Sequence, residues 1–358
     1  MKKWRFAGIG FDHMHMGDLL QYVHDHPNAE IVGVYDADAK NTEDAARAFE
    51  IPDESRFTDI DTCIRESKPD IAILCPATAK HAEYVEKMAK HGVHMLVEKP
   101  FAMSAAEVDR MIRAAEQAGK TLVVNWPSAW SPSYVTMRRL ITEGLVGDVV
   151  ELHHYGGNRG PLYHLAGKVE VSEEVVQQIK GDSWWYNSAA GGGSLRDYMG
   201  YGATLGTWFM NGEAPIEVTC ISEKPEGSDV DEHSIAIVRY ARGLSKFETR
   251  WGTFTDPWTH QPQPKCGFVV VGTKGTISAF DYDAFLRVQT SEHPEGFEVP
   301  LDTISAPRRN PIEYLIHCLE TGEPISGPLS LEVGRTAQRI VDTAILSAAE
   351  KRTISLVA

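Results

Sequence analysis

The segment Met95-Leu96-Val97-Glu98-Lys99-Pro100 is the clearest indication of the fold of this chain. Its three apolar residues predict a short strand, which ends at the charged pair. Ser104 and Glu107 then form a Ser-x-x-Glu capping box, which predicts a helix that ends at Gly119. Parallel sheets bind ligands in the crevice beyond their carboxyl ends, so Lys99 is placed to act on a ligand.

The same alternation of strands and helices extends through the first third of the chain. Short apolar runs predict strands at 4–8, 31–35, 71–75, 95–97 and 121–124. Helices are predicted at about 16–24, 81–91 and 104–119. Continuous apolar strands between helices are typical of a parallel sheet that is covered on both faces. Residues 1–126 are therefore predicted to form a Rossmann domain.

The pattern changes after residue 127, where strands dominate. Strands are predicted at 149–155, 235–240, 246–251, 268–271 and 276–280, and helices at 132–143, 197–210, 311–320 and 331–350. Thr273-Lys274-Gly275 is typical of a hairpin turn with Gly275 in a left-handed conformation. Residues 127–358 are predicted to form an α+β domain with a largely antiparallel sheet, which binds substrate and forms oligomers. The last two helices are expected to pack back against the first domain.

Composition excludes several classes of protein. The chain has 358 residues, which suggests two domains, and its formal charge of −15 argues against a nucleic-acid partner. No apolar run approaches the ~18 residues of a membrane span, and the N-terminus lacks a signal-peptide core. Five scattered cysteines include no Cys-x-x-Cys pair, which predicts a reduced, cytoplasmic chain without a structural zinc site.

A dinucleotide-binding turn follows the first predicted strand. Gly8 and Gly10 allow backbone N–H groups to approach a pyrophosphate, although His13 occupies the third glycine position of the fingerprint. Asp36 ends the second strand, where a carboxylate accepts hydrogen bonds from the adenosine ribose and repels a 2′-phosphate. The predicted cofactor is therefore NAD rather than NADP, with Asp38 as a less favoured substitute for Asp36.

These motifs together resemble the Gfo/Idh/MocA family of sugar and polyol oxidoreductases. The resemblance rests on segments in order along nearly the whole chain: Gly8-x-Gly10, Asp36, Cys75-Pro76-Ala77-Thr78-Ala79-Lys80-His81, Glu98-Lys99-Pro100, Gly191-Gly192-Gly193-Ser194-Leu195-Arg196-Asp197, Tyr201, and Gly272-Thr273-Lys274-Gly275-Thr276.

The resemblance implies three catalytic residues, Lys99, Asp197 and Tyr201. Lys99 would relay the proton of the reacting hydroxyl, and its pKa should be lowered by burial if it accepts that proton. Asp197 and Tyr201 share a helix face, and Asp197 would orient the substrate or Lys99. The family more often has histidine at the Tyr201 position. Because an unperturbed phenol has a pKa of about 10, Tyr201 suits a donor or relay better than a base.

The resemblance and the loop positions also imply ligand contacts. Cofactor contacts are expected from Gly8, Gly10, Phe11, Asp12, His13, Asp36, Pro76, Thr78, His81, Glu98, Lys99 and Asn125. Substrate contacts are expected from Lys99, Asn125, Arg159, Trp185, Asp197 and Tyr201. Thr78 stands where the family frequently has asparagine, and His81 could equally serve only to begin a helix. Asn158, Trp184, Tyr186 and His260 also lie in loops of the substrate domain.

No metal site is predicted. His13 and His15, with Asp12, are interpreted as polar residues of the loop over the cofactor phosphates. His153 and His154 alternate along a strand, so they point to opposite faces and cannot bind one ion, although one of them could face a pocket.

The leading hypothesis is an NAD-dependent dehydrogenase that transfers a hydride between a secondary alcohol of a sugar or polyol and nicotinamide. One alternative is a glycosidase or lyase that retains NAD and uses transient oxidation. A second is a non-catalytic nucleotide-binding sensor on the same fold, which would have no need of a proton relay. The expected partner is a small carbohydrate or polyol, and the expected assembly is a homodimer or homotetramer.

Overall fold

Two β-sheets, each with its own hydrophobic core, organise residues 2–357, which are the residues that this computed structural model describes. The elements of the first sheet and its helices are β1 (Trp4–Ile9), α1 (His15–Asp25), β2 (Ala29–Tyr35), α2 (Glu43–Ala48), β3 (Arg56–Phe57), α3 (Ile60–Ser67), β4 (Ile71–Leu74), α4 (His81–Lys90), β5 (His94–Glu98), α5 (Ala105–Ala118) and β6 (Leu122–Asn125). The strand order is β3-β2-β1-β4-β5-β6, and all pairs are parallel. The predicted Rossmann topology is confirmed.

Burial explains the apolar strands of this sheet. Every residue of β4 is completely buried, because helices cover both faces of a parallel sheet. The predicted N-cap is confirmed, since Glu107 N donates to Ser104 Oγ at 3.3 Å, although the Glu107 carboxylate accepts from Met103 N rather than from Ser104 N; Gly119 ends α5 in a left-handed conformation. Because these strands are parallel, the carboxyl ends of β1, β4, β5 and β6 lie at one edge of the sheet.

The second sheet has nine strands. Its elements and the helices around it are α6 (Pro132–Thr142), β7 (Val149–Asn158), α7 (Glu173–Ile179), α8 (Ser194–Phe209), β8 (Glu217–Glu223), β9 (His233–Arg239), β10 (Leu244–Trp251), β11 (Gly267–Gly272), β12 (Gly275–Phe280), β13 (Phe285–Thr290), β14 (Phe297–Pro300), α9 (Pro311–Thr321), α10 (Leu331–Glu350) and β15 (Ile354–Ser355). The strand order is β14-β13-β12-β11-β7-β10-β9-β8-β15. Only β7 and β10 pair in parallel, so the predicted, largely antiparallel sheet is confirmed.

Alternation along β9 shows how this sheet is covered. Ser234, Ala236 and Val238 are buried, while Ile235 and Ile237 point away from the core and are exposed. The buried face packs on α8 and α10, whereas the opposite face exposes the apolar side chains of Ile235 and Ile237 to solvent.

The last two helices both contact the first domain as predicted, but they do so in different ways. α9 packs against the first core as predicted, through Ile312 and Leu315. The apolar residues of α10, Ile340 among them, instead lie in the second core beside α8. The opposite side of α10 packs against the first domain. Asp342 accepts a hydrogen bond from Ala105 N at 2.6 Å, Gln338 accepts one from Ala102 N at 3.4 Å, and Arg335 forms an ion pair with Asp109 of α5.

The hairpin between β11 and β12 is confirmed, but the left-handed conformation predicted for Gly275 is wrong. Gly275 has no positive φ; it is the first residue of β12. A Cβ atom there would lie 2.5 Å from the backbone oxygen of Gln289 on β13. Glycine is needed at this position because a neighbouring strand approaches closely.

Candidate active site

The carboxyl edge of the first sheet brings Glu98 and Asn125 together. They end adjacent strands in register, and Asn125 Nδ2 donates a hydrogen bond to Glu98 Oε2 at 2.7 Å. His15, the first residue of α1, approaches the other carboxylate oxygen, with Nδ1 at 2.8 Å from Glu98 Oε1. Burial alone would raise the pKa of Glu98, but His15, Lys99 and Asn125 together hold it below its ordinary value. Glu98 is therefore a buried carboxylate with both oxygens occupied.

Lys99 forms a buried ion pair with Asp197, which lies in the first turn of α8. The side chains are 4% and 3% exposed, so the pair is almost completely removed from solvent. Lys99 Nζ also lies 5.3 Å from the ring centroids of both Trp185 and Tyr201. Removing one partner of a buried ion pair strongly destabilises the folded protein, because the other charge stays buried without compensation. Lys99 and Asp197 therefore hold each other in place.

Tyr201 follows Asp197 by one helical turn and completes this group. Its ring packs edge-on against Trp126 with a centroid separation of 5.4 Å. Burial, together with the carboxylates of Glu98 and Asp197, raises the pKa of Tyr201 well above its ordinary value. The phenol therefore keeps its proton at any ordinary pH and is able to donate a hydrogen bond.

The nucleotide edge lies at the ends of β1, β2 and β4. Gly10 has a φ of +78°, and a Cβ atom there would lie 2.9 Å from Pro76 Cβ, so only glycine allows these two loops to meet. Asp36 ends β2 and accepts hydrogen bonds from the backbone N–H groups of Phe11 at 2.8 Å and Asp38 at 3.0 Å. Asp38 caps the next turn, so its role is local.

Other residues of this edge fit a dinucleotide in different ways. The hydroxyl of Thr78 is completely buried and has no hydrogen-bond partner among residues 2–357, as expected of a group that binds a ligand. Asp12 accepts a hydrogen bond from Ala77 N at 2.8 Å, which joins the loops after β1 and β4. His81 begins α4, and its ring nitrogens face the backbone oxygens of Pro76 and Phe101, both at 3.1 Å. The structure thus places the His81 ring between two loops rather than open to a ligand.

A loop of the second domain covers this edge. Gly191 lies so close to Thr78 that a Cβ atom on the glycine would be 2.6 Å from Thr78 Cβ. Trp184 Nε1 donates to the backbone oxygen of Asp12 at 2.9 Å. Trp185 stacks on Trp184 and lies edge-on to His13, at centroid separations of 3.8 and 4.8 Å.

Among residues 2–357, one group of side chains could in principle bind a metal ion. It consists of His13, His15 and Glu98, whose possible ligand atoms lie within 4.8 Å of one another. Their hydrogen bonds favour a different arrangement. His13 Nδ1 accepts from His15 N at 3.1 Å, and burial and neighbouring charges lower the pKa of His13 well below its ordinary value. The neutral ring therefore carries its proton on Nε2, which lies 3.6 Å from Glu98 Oε1 and cannot ligate a metal in that form. The cluster is best described as a hydrogen-bonded network.

A cavity of about 690 Å³ opens between the two domains beside this network. A sugar or a drug-sized ligand fits such a volume. Its walls carry many aromatic and several acidic or hydroxyl side chains, among them His15, Tyr22, Asn125, Ser128, Trp130, Tyr134, His154, Tyr198, Tyr201, Trp258, Asp281 and Tyr282. Lys99 and Asp197 are not among its lining residues.

Two pairs in this wall were not anticipated from the sequence. Tyr134 donates a hydrogen bond to Asp281, which joins α6 to the loop after β12. Lys168 reaches over the cavity from a loop and lies 4.4 Å from the ring of Trp258. A cation or carboxylate in a loop gives no periodic signal, so only the folded chain shows that these residues share the cavity.

The histidines predicted to alternate along β7 do so. His154 faces the cavity, and burial lowers its pKa to about 3, so it is neutral. His153 is partly exposed and pairs with Glu151.

The remaining loop residues are placed away from the cavity wall. Arg159 forms ion pairs with Asp256 at 2.8 Å and Glu170 at 3.0 Å. Asn158 is buried, His260 is exposed, and Tyr186 packs near Trp251. The structure brings Trp185 to Lys99 but does not bring Arg159 there.

A parallel nucleotide-binding sheet, joined to a second domain across a polar and aromatic cavity, defines a nucleotide-dependent oxidoreductase. Two family models match this chain, one in each domain. The model described as an oxidoreductase family with an NAD-binding Rossmann fold matches residues 4–126, and the GFO/IDH/MocA C-terminal domain matches residues 134–278. The chain belongs to the GFO/IDH/MocA family of oxidoreductases, which confirms the resemblance and the NAD-binding Rossmann domain.

Relatives of known activity include dehydrogenases and a hydratase. The chain is 24% identical over 338 residues to inositol 2-dehydrogenase of Rhizobium meliloti strain 1021, with 92% of each chain covered. It is 28% identical over 265 residues to 2,7-anhydro-N-acetylneuraminate hydratase of Escherichia coli K12, which covers 69% of this chain and 68% of that relative.

Solved structures show the same fold. An oxidoreductase from Agrobacterium radiobacter, in complex with NAD+, L-tartaric acid and magnesium, has a TM-score of 0.78 at 19% identity, with 99% of each chain covered. Aldose-aldose oxidoreductase from Caulobacter crescentus, complexed with glycerol, has a TM-score of 0.78 at 19% identity over 99% of this chain and 100% of that chain. None of the helices in residues 2–357 combines the length and apolar character that crossing a membrane requires.

Proposed function

We propose that this chain is an NAD-dependent dehydrogenase that transfers a hydride between a secondary alcohol of a sugar, polyol or sugar derivative and nicotinamide. The observation that carries this proposal is the buried Lys99–Asp197 ion pair beside Tyr201, at the carboxyl edge of the NAD-binding sheet. A lysine, a carboxylate and a protonated phenol within one small volume can hold and pass on the proton of a reacting hydroxyl.

The cavity supports a carbohydrate substrate. Aromatic rings such as Trp130, Tyr198 and Trp258 offer apolar surfaces for the faces of a sugar ring, while Asn125 and Asp281 offer polar contacts for hydroxyl groups. Relatives named inositol 2-dehydrogenase and D-apiose dehydrogenase support the same class of substrate.

NAD, when bound, supplies hydride acceptance at its nicotinamide ring. Asp36 would hold the adenosine ribose, and the backbone at Gly8 and Gly10 would approach the pyrophosphate. Lys99 Nζ would relay the hydroxyl proton, Asp197 would hold Nζ in position, and the Tyr201 hydroxyl would donate a hydrogen bond to the substrate oxygen. The Trp184–Trp185 segment would exclude water from this centre.

The test is NADH formation across a panel of aldoses, inositols and polyols, with Lys99→Met as the variant and the exposed Lys90→Met as its matched control. We expect Lys99→Met to lower kcat by roughly 10²- to 10⁴-fold, the usual contribution of general acid–base catalysis. Lys90→Met should keep the wild-type rate. A Lys99→Met enzyme that turns over at the wild-type rate would overturn the assignment of Lys99.

A second candidate is an enzyme that retains NAD and oxidises its substrate only transiently. The relative named a hydratase supports it, because hydration involves no net redox change. Substrate conversion without accumulation of NADH, measured by mass spectrometry of the sugar, would favour this candidate over the dehydrogenase.

We further infer a cytoplasmic homo-oligomer. Cys63, Cys75, Cys220, Cys266 and Cys318 are all buried and free, which suits a reducing compartment. The open face of the second sheet carries Ile221, Ile235 and Ile237, which a second copy of the chain would cover.

A further inference from the structure

His15 is a titratable residue of the cavity wall to which the dehydrogenase mechanism gives no role. It is the first residue of α1, and its ring lines the cavity while its side chain is only 11% exposed. Nδ1 lies 2.8 Å from Glu98 Oε1. Because Glu98 is held as a carboxylate, it can only accept a hydrogen bond, so His15 Nδ1 carries a proton, and in the neutral form of the ring the lone pair lies on Nε2.

The other ring nitrogen is consequently a free acceptor. His15 Nε2 makes no hydrogen bond with any of residues 2–357. An imidazole with Nδ1–H on a carboxylate and a lone pair on Nε2 has the arrangement of a general base. Glu98 is itself held by Asn125 at 2.7 Å, so the carboxylate that orients His15 is fixed in turn.

The neighbours of His15 do not compete for this role. His13 is neutral with its proton on Nε2, as described above. His164 is also neutral, since burial and the charge of Lys168 lower its pKa to about 3. Lys99 is paired with Asp197 and does not line the cavity. Hydride transfer requires one proton relay, yet the site contains two separate proton-transfer groups.

We propose that His15, oriented by Glu98, is a second catalytic residue, which removes the proton from the carbon next to the carbonyl that oxidation of a sugar hydroxyl creates. This proposal rests on the proposed function, since it needs a keto-sugar in the cavity. It gives the site the chemistry of a carbonyl-activated proton exchange, epimerisation or elimination, in addition to hydride transfer.

The step balances without a further reagent. His15 Nε2 takes the proton, the C–H electron pair forms the C=C bond of an enolate, and the carbonyl π electrons move onto oxygen, where a hydrogen bond from the Tyr201 hydroxyl stabilises the charge. Return of the proton from His15 regenerates the ketone, with exchange of hydrogen with solvent.

The experiment uses two ketone probes, the 2-keto derivative of myo-inositol and 3-keto-glucose, incubated with the NAD-saturated full-length enzyme in D2O. Deuterium at the carbon next to the carbonyl is measured by mass spectrometry and corrected for exchange in buffer. We expect enzyme-dependent exchange on at least one probe, lowered by about 10²-fold or more in His15→Asn. Asparagine keeps a donor for Glu98 but has no basic nitrogen. The partly exposed His153→Asn is the control and should exchange at the wild-type rate.

A second measurement does not depend on a variant that folds. Nitrogen-15 NMR of histidine-labelled wild-type enzyme should show His15 as the Nδ1–H tautomer when neutral. A neutral ring protonated on Nε2, exchange unchanged in a folded His15→Asn enzyme, or no enzyme-dependent exchange on either probe would overturn the proposal.

The assay also separates this proposal from the proposed function, because the ketone is added directly. Exchange that requires His15 without NADH formation from any alcohol would leave the proposal intact and refute the dehydrogenase. NADH formation without exchange would do the reverse.

Discussion

At the scale of single residues, Tyr201 offers a sharp test of the site. Its phenol stays protonated because burial and two carboxylates raise its pKa. Tyr201→Phe removes only the hydroxyl, and we expect kcat to fall by roughly 10- to 100-fold, the loss of one hydrogen bond that stabilises the transition state. The wild-type pH–rate profile should show no alkaline limb that disappears in the variant. A limb near pH 10 that is lost in Tyr201→Phe would contradict a permanently protonated phenol.

Asp36 provides the test of cofactor preference. Asp36→Asn keeps an acceptor for Phe11 N but removes the charge that repels a 2′-phosphate. We expect the ratio of kcat/KM for NAD to that for NADP to fall by about 10-fold or more. Asp38→Asn is the control, since Asp38 caps a local turn, and it should leave the ratio unchanged. A larger effect of Asp38→Asn would reassign the ribose contact.

The sequence predicted much of the site, for reasons that individual residues explain. Lys99, Asp197 and Tyr201 were found because a short motif and a helical spacing carry them. The contact between His15 and Glu98 was not predicted, because the two residues lie 83 positions apart in the chain. No local pattern reports a contact of that separation. Arg159 was expected at the substrate because a cationic loop residue suggests binding, whereas Asp256 and Glu170 occupy its guanidinium group.

At the scale of secondary-structure elements, the β11–β12 hairpin gives a test of close packing. Gly275→Ala would place a methyl group 2.5 Å from Gln289 O, so we expect the free energy of unfolding to fall by about 1–3 kcal/mol. Gly181→Ala is the matched control, because no atom lies within 4 Å of a Cβ atom there, and its φ is not positive. Urea titration of both variants measures the difference. Equal stability of the two would show that β13 can move away at little cost.

The sequence missed short elements such as β3 and β14, and it also missed the longer elements α3, β8 and β13. β3 has two residues, β14 has four, and neither carries a continuous apolar run. The strands at the centre of the first sheet were predicted because they are buried on both faces and apolar throughout. α10 was expected to pack against the first domain, and its length and late position gave no indication that its apolar side enters the second core.

At the scale of the whole molecule, the open face of the second sheet predicts self-association. Ile221 is 76% exposed and Ile237 is 47% exposed on neighbouring strands. Their combined replacement, Ile221→Lys with Ile237→Lys, should convert the oligomer to monomer, because charges would be buried without partners. Light scattering with size-exclusion chromatography measures the mass.

Val175→Lys serves as the control, since Val175 is 43% exposed on α7, outside this sheet. It should keep the wild-type mass. A wild-type monomer, or an unchanged mass in the double variant, would contradict the proposed interface.

The loop of the second domain that covers the nucleotide edge, which contains Trp184 and Gly191, affects the expected order of ligand release. Trp184 Nε1 donates a hydrogen bond to the backbone oxygen of Asp12 at 2.9 Å, and Gly191 packs against Thr78. The second domain therefore contacts the loops that are expected to surround the nucleotide. A dinucleotide covered by this loop can dissociate only after the Trp184–Asp12 and Gly191–Thr78 contacts break, whereas a sugar can leave through the open cavity. We therefore expect an ordered cycle in which the dinucleotide enters first and leaves last, with a residence time that spans many sugar molecules whenever the chemistry restores its oxidation state.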